Sequence, residues 1–332
     1  MESPWLRYPL LVLFYIVLLP LVKALDVAGL WPRLLARGAT REFGRFGEYE
    51  PTEHDIFVCS YFKSGTNWTM QIAQQIAHRG RAEFGHIHDV VAWPDAPARA
   101  RLAIPVTDPS PWCNSPTGLR VIKTHLARDG VPYSPASRYI CVVRDPKDVF
   151  VSGFYFIRDV ALGSLMPALE AWLDAFLSAD TPFGSWAEHL HSYWQIRDRD
   201  NVLFLTYEEM KVDPAEAVRR IAEVMGVELS ADEFAAVVER STFGYMKQIA
   251  HKFDPLGAGP PWVDARGVLL RRGERGAAAE LLSPAQRRRV DDYWRAELER
   301  LGCDFPYDVA FSVSGDGHAA APAGARPVAA RS

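Results

Sequence analysis

The segment Lys63-Ser-Gly-Thr66 combines the residue types and the setting of an anion-binding site. It follows an apolar run from Asp55 to Ser60 that predicts a buried strand, and a helix is expected to begin near Thr66. At a helix start, free backbone N–H groups and the positive end of the helix dipole point to one place. The Lys63 ammonium and the hydroxyls of Ser64 and Thr66 add donors there. We therefore expect phosphate as the ligand.

The order of residues in this segment differs from that of the loop that binds nucleotide triphosphates. That loop reads Gly-x-x-x-x-Gly-Lys-Ser/Thr and has two glycines before its lysine. Here Lys63 precedes Gly65, which is the only glycine of the segment. ATP is therefore not the expected ligand.

A second apolar run, from Leu119 onward, ends in Lys123, Thr124 and His125. Strand periodicity places Lys123 and His125 on the same face. A lysine beside an imidazole lowers the pKa of the imidazole and leaves a neutral base that can take a proton from a hydroxyl. The alternative is a structural histidine that is bonded to a backbone group.

A third segment runs from a predicted strand, Arg138 to Val143, into Arg144 and a helix that Pro146 opens. Ser152 follows two turns into that helix, so Arg144 and Ser152 predict a second anion pocket. The alternative is a salt bridge between Arg144 and Asp148 at the start of the helix.

The order of strand-like and helical segments predicts an α/β fold, with a central parallel sheet and flanking helices. In such a sheet, ligands collect at the carboxyl ends of the strands, where the three segments above all lie. A proline-rich stretch from Trp93 to Gly118 predicts a long loop that can cover a pocket. The predicted strands are Ile56 to Ser60, Leu119 to Lys123, Arg138 to Val143 and Val202 to Thr206.

Composition limits the class of protein. A chain of 332 residues with 48% hydrophobic residues can form one large α/β domain. The net charge of -4 indicates no general attraction to nucleic acid, so we expect no such partner. The four cysteines are widely spaced and suggest neither a zinc site nor a disulfide framework. We therefore expect no metal and a reducing compartment.

The N-terminus contains an uninterrupted apolar run from Tyr8 to Val22, closed by Lys23. We predict membrane association through residues 8–25, since extension to Leu30 reaches the roughly 20 residues that a spanning helix needs. More Lys and Arg residues follow the run than precede it, which places the larger part of the chain in the cytoplasm. The alternatives are a helix packed on the domain and a cleaved signal peptide, although no small-residue cleavage site follows the run.

Together these motifs resemble the superfamily of sulfotransferases that use 3'-phosphoadenosine-5'-phosphosulfate, and in particular the branch of cytosolic enzymes that sulfonate small hydroxyl compounds. The family motif Tyr-Pro-Lys-Ser-Gly-Thr-Thr-Trp stands here as Tyr61-Phe-Lys-Ser-Gly-Thr-Asn-Trp68, with Phe62 and Asn67 as departures. The resemblance spans roughly Pro51 to Phe305 and implies a P-loop-like sulfotransferase fold.

The resemblance also implies roles for individual residues. Lys63 would stabilise the bridging oxygen as the sulfuryl group departs, and Lys123 would contact that group while His125 acts as general base. The remaining implied donor contacts are Ser64, Gly65, Thr66 and Asn67 for the 5'-phosphate, Arg144 and Ser152 for the 3'-phosphate, and Trp68, Tyr207, Thr242 and Phe243 for adenine.

A last family element, Arg-Lys-Gly-x-x-Gly-Asp-Trp, closes over the 3'-phosphate and stands here with Arg271, Arg272 and Gly273. Two adjacent guanidiniums can make bidentate phosphate contacts, although alanines replace the Asp-Trp pair. The alternative for this stretch is a solvated run of charge. The family's dimerisation pattern is missing between Ala279 and Arg288. The resemblance therefore implies no dimer, and we make no prediction of the oligomeric state.

The resemblance implies an enzyme that moves a sulfuryl group in line from the donor to a hydroxyl or amine. We expect a small-molecule or lipidic alcohol as acceptor. The alternatives are a membrane-anchored nucleotide-binding protein without turnover and a small-molecule kinase. Aromatic residues that could line the acceptor pocket are Trp93, Trp112, Phe154, Tyr155, Phe156, Tyr245, Phe253 and Trp262.

We therefore predict four parts of the chain. Residues 1–30 form the apolar membrane-associated segment, which includes an N-terminal helix, and residues 31–50 form a connector. Residues 51–308 form the sulfotransferase domain. Residues 309–332 are rich in Ala, Gly and Pro and are expected to be a disordered tail.

Overall fold

Four parallel strands form the central sheet, in the order β2-β1-β3-β4. This computed structural model describes residues 13–31, 34, 45–96, 103–178, 183–254 and 277–311. The strands are β1 (Asp55–Ser60), β2 (Arg120–Thr124), β3 (Arg138–Val143) and β4 (Val202–Thr206). The α/β prediction with a central parallel sheet is confirmed, and each predicted strand agrees with the observed one to within one residue at either end.

The strands consist mainly of apolar residues, as expected for a parallel sheet whose two faces are both covered. Along β1, side chains alternate between the two faces, so Ile56 and Val58 join one buried cluster while Phe57 and Cys59 join another. Strand β1 pairs on one side with β2 and on the other with β3, and Cys59 lies between Thr124 and Cys141. The carboxyl ends of the strands therefore reach the same edge of the sheet.

The helices begin where the sequence supplies caps. Asp145 accepts a hydrogen bond from the backbone N–H of Lys147 and precedes a proline at the first helical turn. Short helices after β4 and near Thr242 were not predicted. The described helices are α1 (Leu19–Val27), α2 (Thr66–Ala77), α3 (Pro146–Ile157), α4 (Leu169–Leu177), α5 (Trp186–Trp194), α6 (Tyr207–Val212), α7 (Pro214–Met225), α8 (Ala231–Arg240), α9 (Phe243–Gln248), α10 (Pro284–Arg300) and α11 (Tyr307–Phe311), with one further turn at Ser110–Cys113.

The N-terminal apolar run is helical over its described part, as a π-helical turn Phe14–Leu18 followed by α1. Phe14 and Val22 are buried against Leu165, so this segment packs on the domain, as one alternative expected. Within the described ranges, no helix has the length and apolar content needed to cross a bilayer, so the predicted spanning helix is not found there. Residues 1–12 of the predicted segment lie outside the described residues.

Three other predicted segments lie wholly or mostly outside the described residues: the connector 31–50, the stretch Arg271 to Gly273 and the tail 309–332. Helix α11 runs to Phe311, three residues past the predicted end of the domain at residue 308. The limits of the four predicted parts remain predictions.

Candidate active site

The loop between β1 and α2 has the shape of an anion cradle. Gly65 has φ +98° and is the N-cap of α2 without a side-chain cap, which leaves the first backbone N–H groups of the helix open to a ligand. Ser64 Oγ is buried and has no hydrogen-bond partner among the described residues. Thr66 Oγ1 lies 2.6 Å from Ser60 Oγ, and this bond joins the start of α2 to the end of β1. The loop therefore offers unused donors at a fixed position.

Tyr207, the first residue of α6, lies directly against this loop. A Cβ atom at Gly65 would be 2.8 Å from Tyr207 Cδ2, which is closer than two non-bonded carbon atoms approach in proteins. The ring of Tyr207 also meets the edge of Trp68, with centroids 5.7 Å apart, and the guanidinium of Arg144 at 4.5 Å. Glycine is thus required here by both backbone conformation and space.

We expect Gly65→Ala to weaken binding of the nucleotide product 3'-phosphoadenosine-5'-phosphate (PAP) about tenfold or more. Alanine at positive φ costs roughly 1–2 kcal/mol, and the new methyl group displaces Tyr207 or opens the loop. Isothermal titration calorimetry measures the dissociation constant. Gly302→Ala is the matched control, since Gly302 has φ +65° with no atom within 4 Å of the added Cβ. Equal affinity in Gly65→Ala and wild type would contradict the cradle.

Arg144 reaches the same loop from the end of β3. Its Nη1 donates to the carbonyl of Lys63 at 3.2 Å and its Nη2 lies 3.5 Å from Asp148 Oδ2, so the salt bridge considered as an alternative is present. Arg144 Nε is nevertheless buried, with no hydrogen-bond partner in the part of the chain that the structure describes. Ser152 is half-buried two turns further along α3. Arg144 therefore retains a donor for an anion, and its predicted role at a second phosphate stays a prediction.

The adenine side of the predicted site is formed around Trp68. Its indole Nε1 donates to the carbonyl of Ser241 at 2.7 Å, which brings the following residues, Thr242 and Phe243, beside α2. Thr242 accepts a hydrogen bond from the N–H of Tyr245 and so caps α9. Phe243 is 42% exposed, an unusual exposure for an aromatic side chain. An exposed aromatic face next to Trp68 is chemically suited to a flat base.

His125 stands at the end of β2 with a defined tautomer. Its Nδ1 is 2.8 Å from the carbonyl oxygen of Ser60, and a carbonyl only accepts, so Nδ1 carries the hydrogen and Nε2 keeps its lone pair. Burial holds the pKa of His125 well below its ordinary value, and the nearby positive charge of Lys123 lowers it further. The sequence argument credited Lys123 alone, whereas burial is the larger cause. His125 is thus a neutral base.

The two predicted lysines occupy a crowded, cationic site. Lys123 is buried, with its Nζ 3.4 Å from the centroid of the Trp93 ring, and Lys63 Nζ lies 4.2 Å from that of Phe156. Burial lowers the pKa of each lysine to about 7, and Arg144 adds to the effect at Lys63. An anionic ligand reverses this effect, since it favours the charged form of both amines.

PAP binding is expected to weaken as the pH rises through about 7. Below this pH both ammonium groups are charged, and above it they lose the protons that an anion requires. Near pH 7 binding should also take up protons from the buffer. Calorimetry in buffers with different ionisation enthalpies measures this uptake. An affinity that is constant between pH 6 and 9 would contradict the expectation.

Asp95 is a buried residue at this site that the sequence analysis did not single out. Ala92 forms a parallel bridge with Ile122, so the chain that follows it lies along the edge of β2. Asp95 Oδ2 accepts the backbone N–H of His125 at 2.8 Å, and burial raises the pKa of Asp95 to about 6. Asp95 therefore positions the residue that carries the base. This role becomes visible only from the bridge between Ala92 and Ile122, because no spacing of residues in the sequence links the proline-rich loop to β2.

Aromatic rings pack against His125. Phe62 stacks on Phe183 with centroids 3.8 Å apart, and the rings of Phe62, Phe183 and Trp93 each form a T-shaped pair with the imidazole. Phe156 contacts Phe62 at 5.5 Å between centroids. We call Phe62, Trp93, Phe156 and Phe183 the aromatic wall. It begins where the donor cradle ends.

The predicted pocket-lining residues had mixed outcomes. Trp93 and Phe156 lie in the aromatic wall, whereas Phe62 and Phe183 were not predicted there. Trp112 stacks on His54, which precedes the amino end of β1, and Phe253 is a core residue. Phe154 and Tyr155 pack on each other and on a second core cluster, Tyr245 is half-buried in α9, and Trp262 lies outside the described residues.

The family model "Sulfotransferase domain" matches residues 53–302. The chain belongs to the sulfotransferase family. Among curated relatives, Sulfotransferase 1C2 of Oryctolagus cuniculus is 27% identical over 280 residues, which cover 79% of this chain and 89% of the relative. Sulfotransferase 2A6 of Rattus norvegicus is 31% identical over 208 residues, 59% of this chain and 68% of the relative.

Solved structures agree in fold. Mouse sulfotransferase SULT7A1, complexed with PAP, is 25% identical, with a TM-score of 0.57 over 75% of this chain and 85% of its own. Retinol dehydratase in a complex with retinol and PAP has a TM-score of 0.59 at 20% identity, covering 77% of this chain and 84% of its own. The prediction of a sulfotransferase is confirmed, and the kinase alternative is not supported.

Proposed function

We propose that the protein moves a sulfuryl group from 3'-phosphoadenosine-5'-phosphosulfate to the hydroxyl of a small apolar acceptor, with His125 as general base. The observation that carries this proposal is the tautomer of His125. Nδ1 is held by the Ser60 carbonyl, and Nε2 keeps its lone pair on a ring that contacts the aromatic wall. A neutral imidazole in this state can accept a hydroxyl proton.

The described residues fit the donor. Its negative groups need donors that the protein does not already use, and Ser64 Oγ and Arg144 Nε are such groups. Gly65 lets the Tyr207 ring pack directly against the loop, which fixes the backbone that would meet the phosphate. We assign the 5'-phosphate to the loop from Ser64 to Asn67. Arg144 and Ser152 hold the 3'-phosphate, to which the family resemblance also assigns Arg271, Arg272 and Gly273, and adenine lies between Trp68, Tyr207, Thr242 and Phe243.

The reaction forms a bond from the acceptor oxygen to sulfur and breaks the bond from sulfur to the oxygen it shares with phosphorus. His125 Nε2 takes the acceptor proton as the new bond forms. Lys63 donates to the departing oxygen, on which negative charge develops, and Lys123 contacts the equatorial oxygens of the transferring group. Fixed charge and position are the main requirements of such a transfer.

The aromatic wall favours an apolar acceptor. Three rings in contact with the base, and a fourth that packs on Phe62, offer large, rigid apolar contacts and few hydrogen-bond partners. A flat phenol or a ring alcohol suits these contacts, with its hydroxyl at His125. An aliphatic amine is less suited, because protonation at neutral pH makes its burial costly.

The test measures PAP binding and sulfonation with labelled donor on a panel of phenols, sterols, long-chain alcohols and amines. We expect PAP binding, and turnover with at least one apolar alcohol or phenol. Arg144→Ala should bind PAP more weakly, since it removes the buried guanidinium. The proposal is lost if the purified protein binds no PAP, or if Arg144→Ala binds it as well as wild type does.

The location of the catalytic domain is also a proposal. All four cysteines are free thiols, and Cys59 and Cys141 are buried neighbours on adjacent strands. Thiols in this state are typical of a reducing compartment. A cytoplasmic catalytic domain fits this chemistry and the excess of Arg and Lys after the apolar run.

A further inference from the structure

The N-terminal helix carries a row of apolar side chains that faces away from the domain. Ile16 is 70% exposed, Leu21 is 55% exposed and Val27 is 92% exposed. Together with exposed residues between them, they recur at intervals of three and four residues, which places them along one face. The members of this exposed row are Leu13, Ile16, Val17, Pro20, Leu21, Ala24 and Val27. None of them is polar, and Leu18 and Lys23 are exposed as well.

Three polar groups of the same segment bond to the domain. Lys23 Nζ donates to the carbonyl of Met166 at 3.4 Å although the residue is exposed, and Asp26 Oδ2 accepts the N–H of Ala168 at 2.9 Å. Trp31 Nε1 donates to the carbonyl of Leu165 at 2.7 Å. A helix on the surface of a water-soluble protein usually turns its apolar side chains inward. This helix is instead fixed to the domain by polar groups while its apolar row is exposed.

We propose that the exposed row lies in the boundary between headgroups and acyl chains of an anionic membrane, with the helix parallel to the membrane surface. The sequence before the row continues as Leu10-Leu-Val12, which is also apolar. Arg7 precedes the apolar run, and Arg33, Arg37 and Arg41 follow it. These cations complement anionic lipid headgroups, whereas a second copy of the chain would bring like charges together.

This placement defines the class of acceptor, and that step rests on the proposed function. The helix docks on Leu162 and Leu165, and Leu162 ends the π-helical turn Arg158–Leu162 that continues α3. Phe156 of the aromatic wall precedes this turn, roughly 9 Å from Leu162 along the axis at the α-helical rise. The aromatic wall therefore lies near the membrane surface. We infer that the acceptor is an alcohol dissolved in the bilayer, such as a sterol or a long-chain alcohol.

The first experiment is co-sedimentation of the full-length protein with vesicles of phosphatidylcholine, with and without phosphatidylserine. The donor is absent, so the result does not depend on sulfonation. We expect binding to the anionic vesicles and at least tenfold weaker binding of the variant Ile16→Ser/Leu21→Ser. The matched control is Val212→Ser/Val309→Ser, since these valines are 69% and 52% exposed on other helices. The control should bind as wild type does.

The second experiment compares two acceptors in the same variants. Sulfonation of a vesicle-embedded alcohol should fall about tenfold in Ile16→Ser/Leu21→Ser, while sulfonation of a water-soluble phenol should stay unchanged. Absence of wild-type vesicle binding overturns the inference, as does an equal loss in the control variant. A dimer that dissociates in Ile16→Ser/Leu21→Ser also overturns it, because the row would then be a contact between copies. Vesicle binding without any sulfonation would contradict the proposed function alone.

Discussion

Replacement of His125 by alanine is expected to lower kcat by roughly 10²–10⁴-fold, the usual contribution of a general base. PAP binding should change little, because His125 bonds to Ser60 and Asp95 and belongs to the acceptor side. The pKa of His125 lies well below its ordinary value, so the base stays deprotonated around neutral pH. The wild-type rate should accordingly show no decrease from protonation of this histidine as the pH falls through 6.5.

Two measurements make this expectation decisive. Single-turnover sulfonation separates the chemical step from product release, and calorimetry with PAP confirms that the variant keeps a working donor site. Asp95→Asn is a useful companion, because an amide oxygen can still accept the backbone N–H of His125 while the charge is lost. If His125→Ala kept the wild-type single-turnover rate, a group other than His125 would accept the proton of the acceptor hydroxyl.

Lys63→Ala is expected to lower kcat by about 10²–10³-fold, the cost of losing one preorganised group at developing charge. Lys63 has φ +63°, and alanine bears the same backbone strain there, so the variant removes the ammonium without changing the conformational demand on the loop. PAP affinity should fall less than the rate does, because the backbone N–H groups at the start of α2 remain. Single-turnover rates and PAP titrations with the same preparation check both parts.

The outcome can be separated from general damage to the loop. Thermal unfolding followed by circular dichroism should give the same melting temperature for Lys63→Ala as for wild type. Lys63→Arg restores a positive charge with a different shape and should recover only part of the rate. Equal losses in rate and PAP affinity would instead mean that Lys63 binds the ground state and the transition state alike.

The fold was predictable from sequence because its strands are buried on both faces and its helices begin with clear caps. The apolar run from Arg138 to Val143 is followed by Asp145 and Pro146, which cap a helix. The observed strand ends at Val143, and the observed helix begins at Pro146. Helix α6 was missed because Tyr207 follows β4 without an intervening loop, so its start is hidden in the strand pattern. Six residues are also too few for helical periodicity to show.

The donor half of the site was predictable because it consists of strand ends. Lys63, His125 and Arg144 each follow an apolar run, and parallel pairing alone brings them to one edge. The acceptor half depends on contacts between distant loops. Phe183 meets Phe62 and His125 across more than 50 residues of chain, and no local pattern encodes such a contact. His88 and His189 are also buried, and no local pattern of the sequence predicts this.

The N-terminal helix shows a limit of hydropathy as a guide. The run from Tyr8 to Val22 predicted a spanning helix because its average composition is apolar. What hydropathy cannot express is that Phe14 and Val22 contact the domain while their neighbours face outward. That division depends on the partner surface around Leu165, which is encoded far away in the chain.

The four parallel strands also link folding to ligand binding. Lys63, His125, Arg144 and Tyr207 follow four different strands, so a chain that has lost part of the sheet has no complete site. A ligand that binds only the native state raises the free energy of unfolding by about 2.7 kcal/mol at a concentration of 100 times its dissociation constant. The melting temperature thus becomes a readout of occupancy. Compounds that raise it further in the presence of PAP can be ranked as acceptors before any of them is sulfonated.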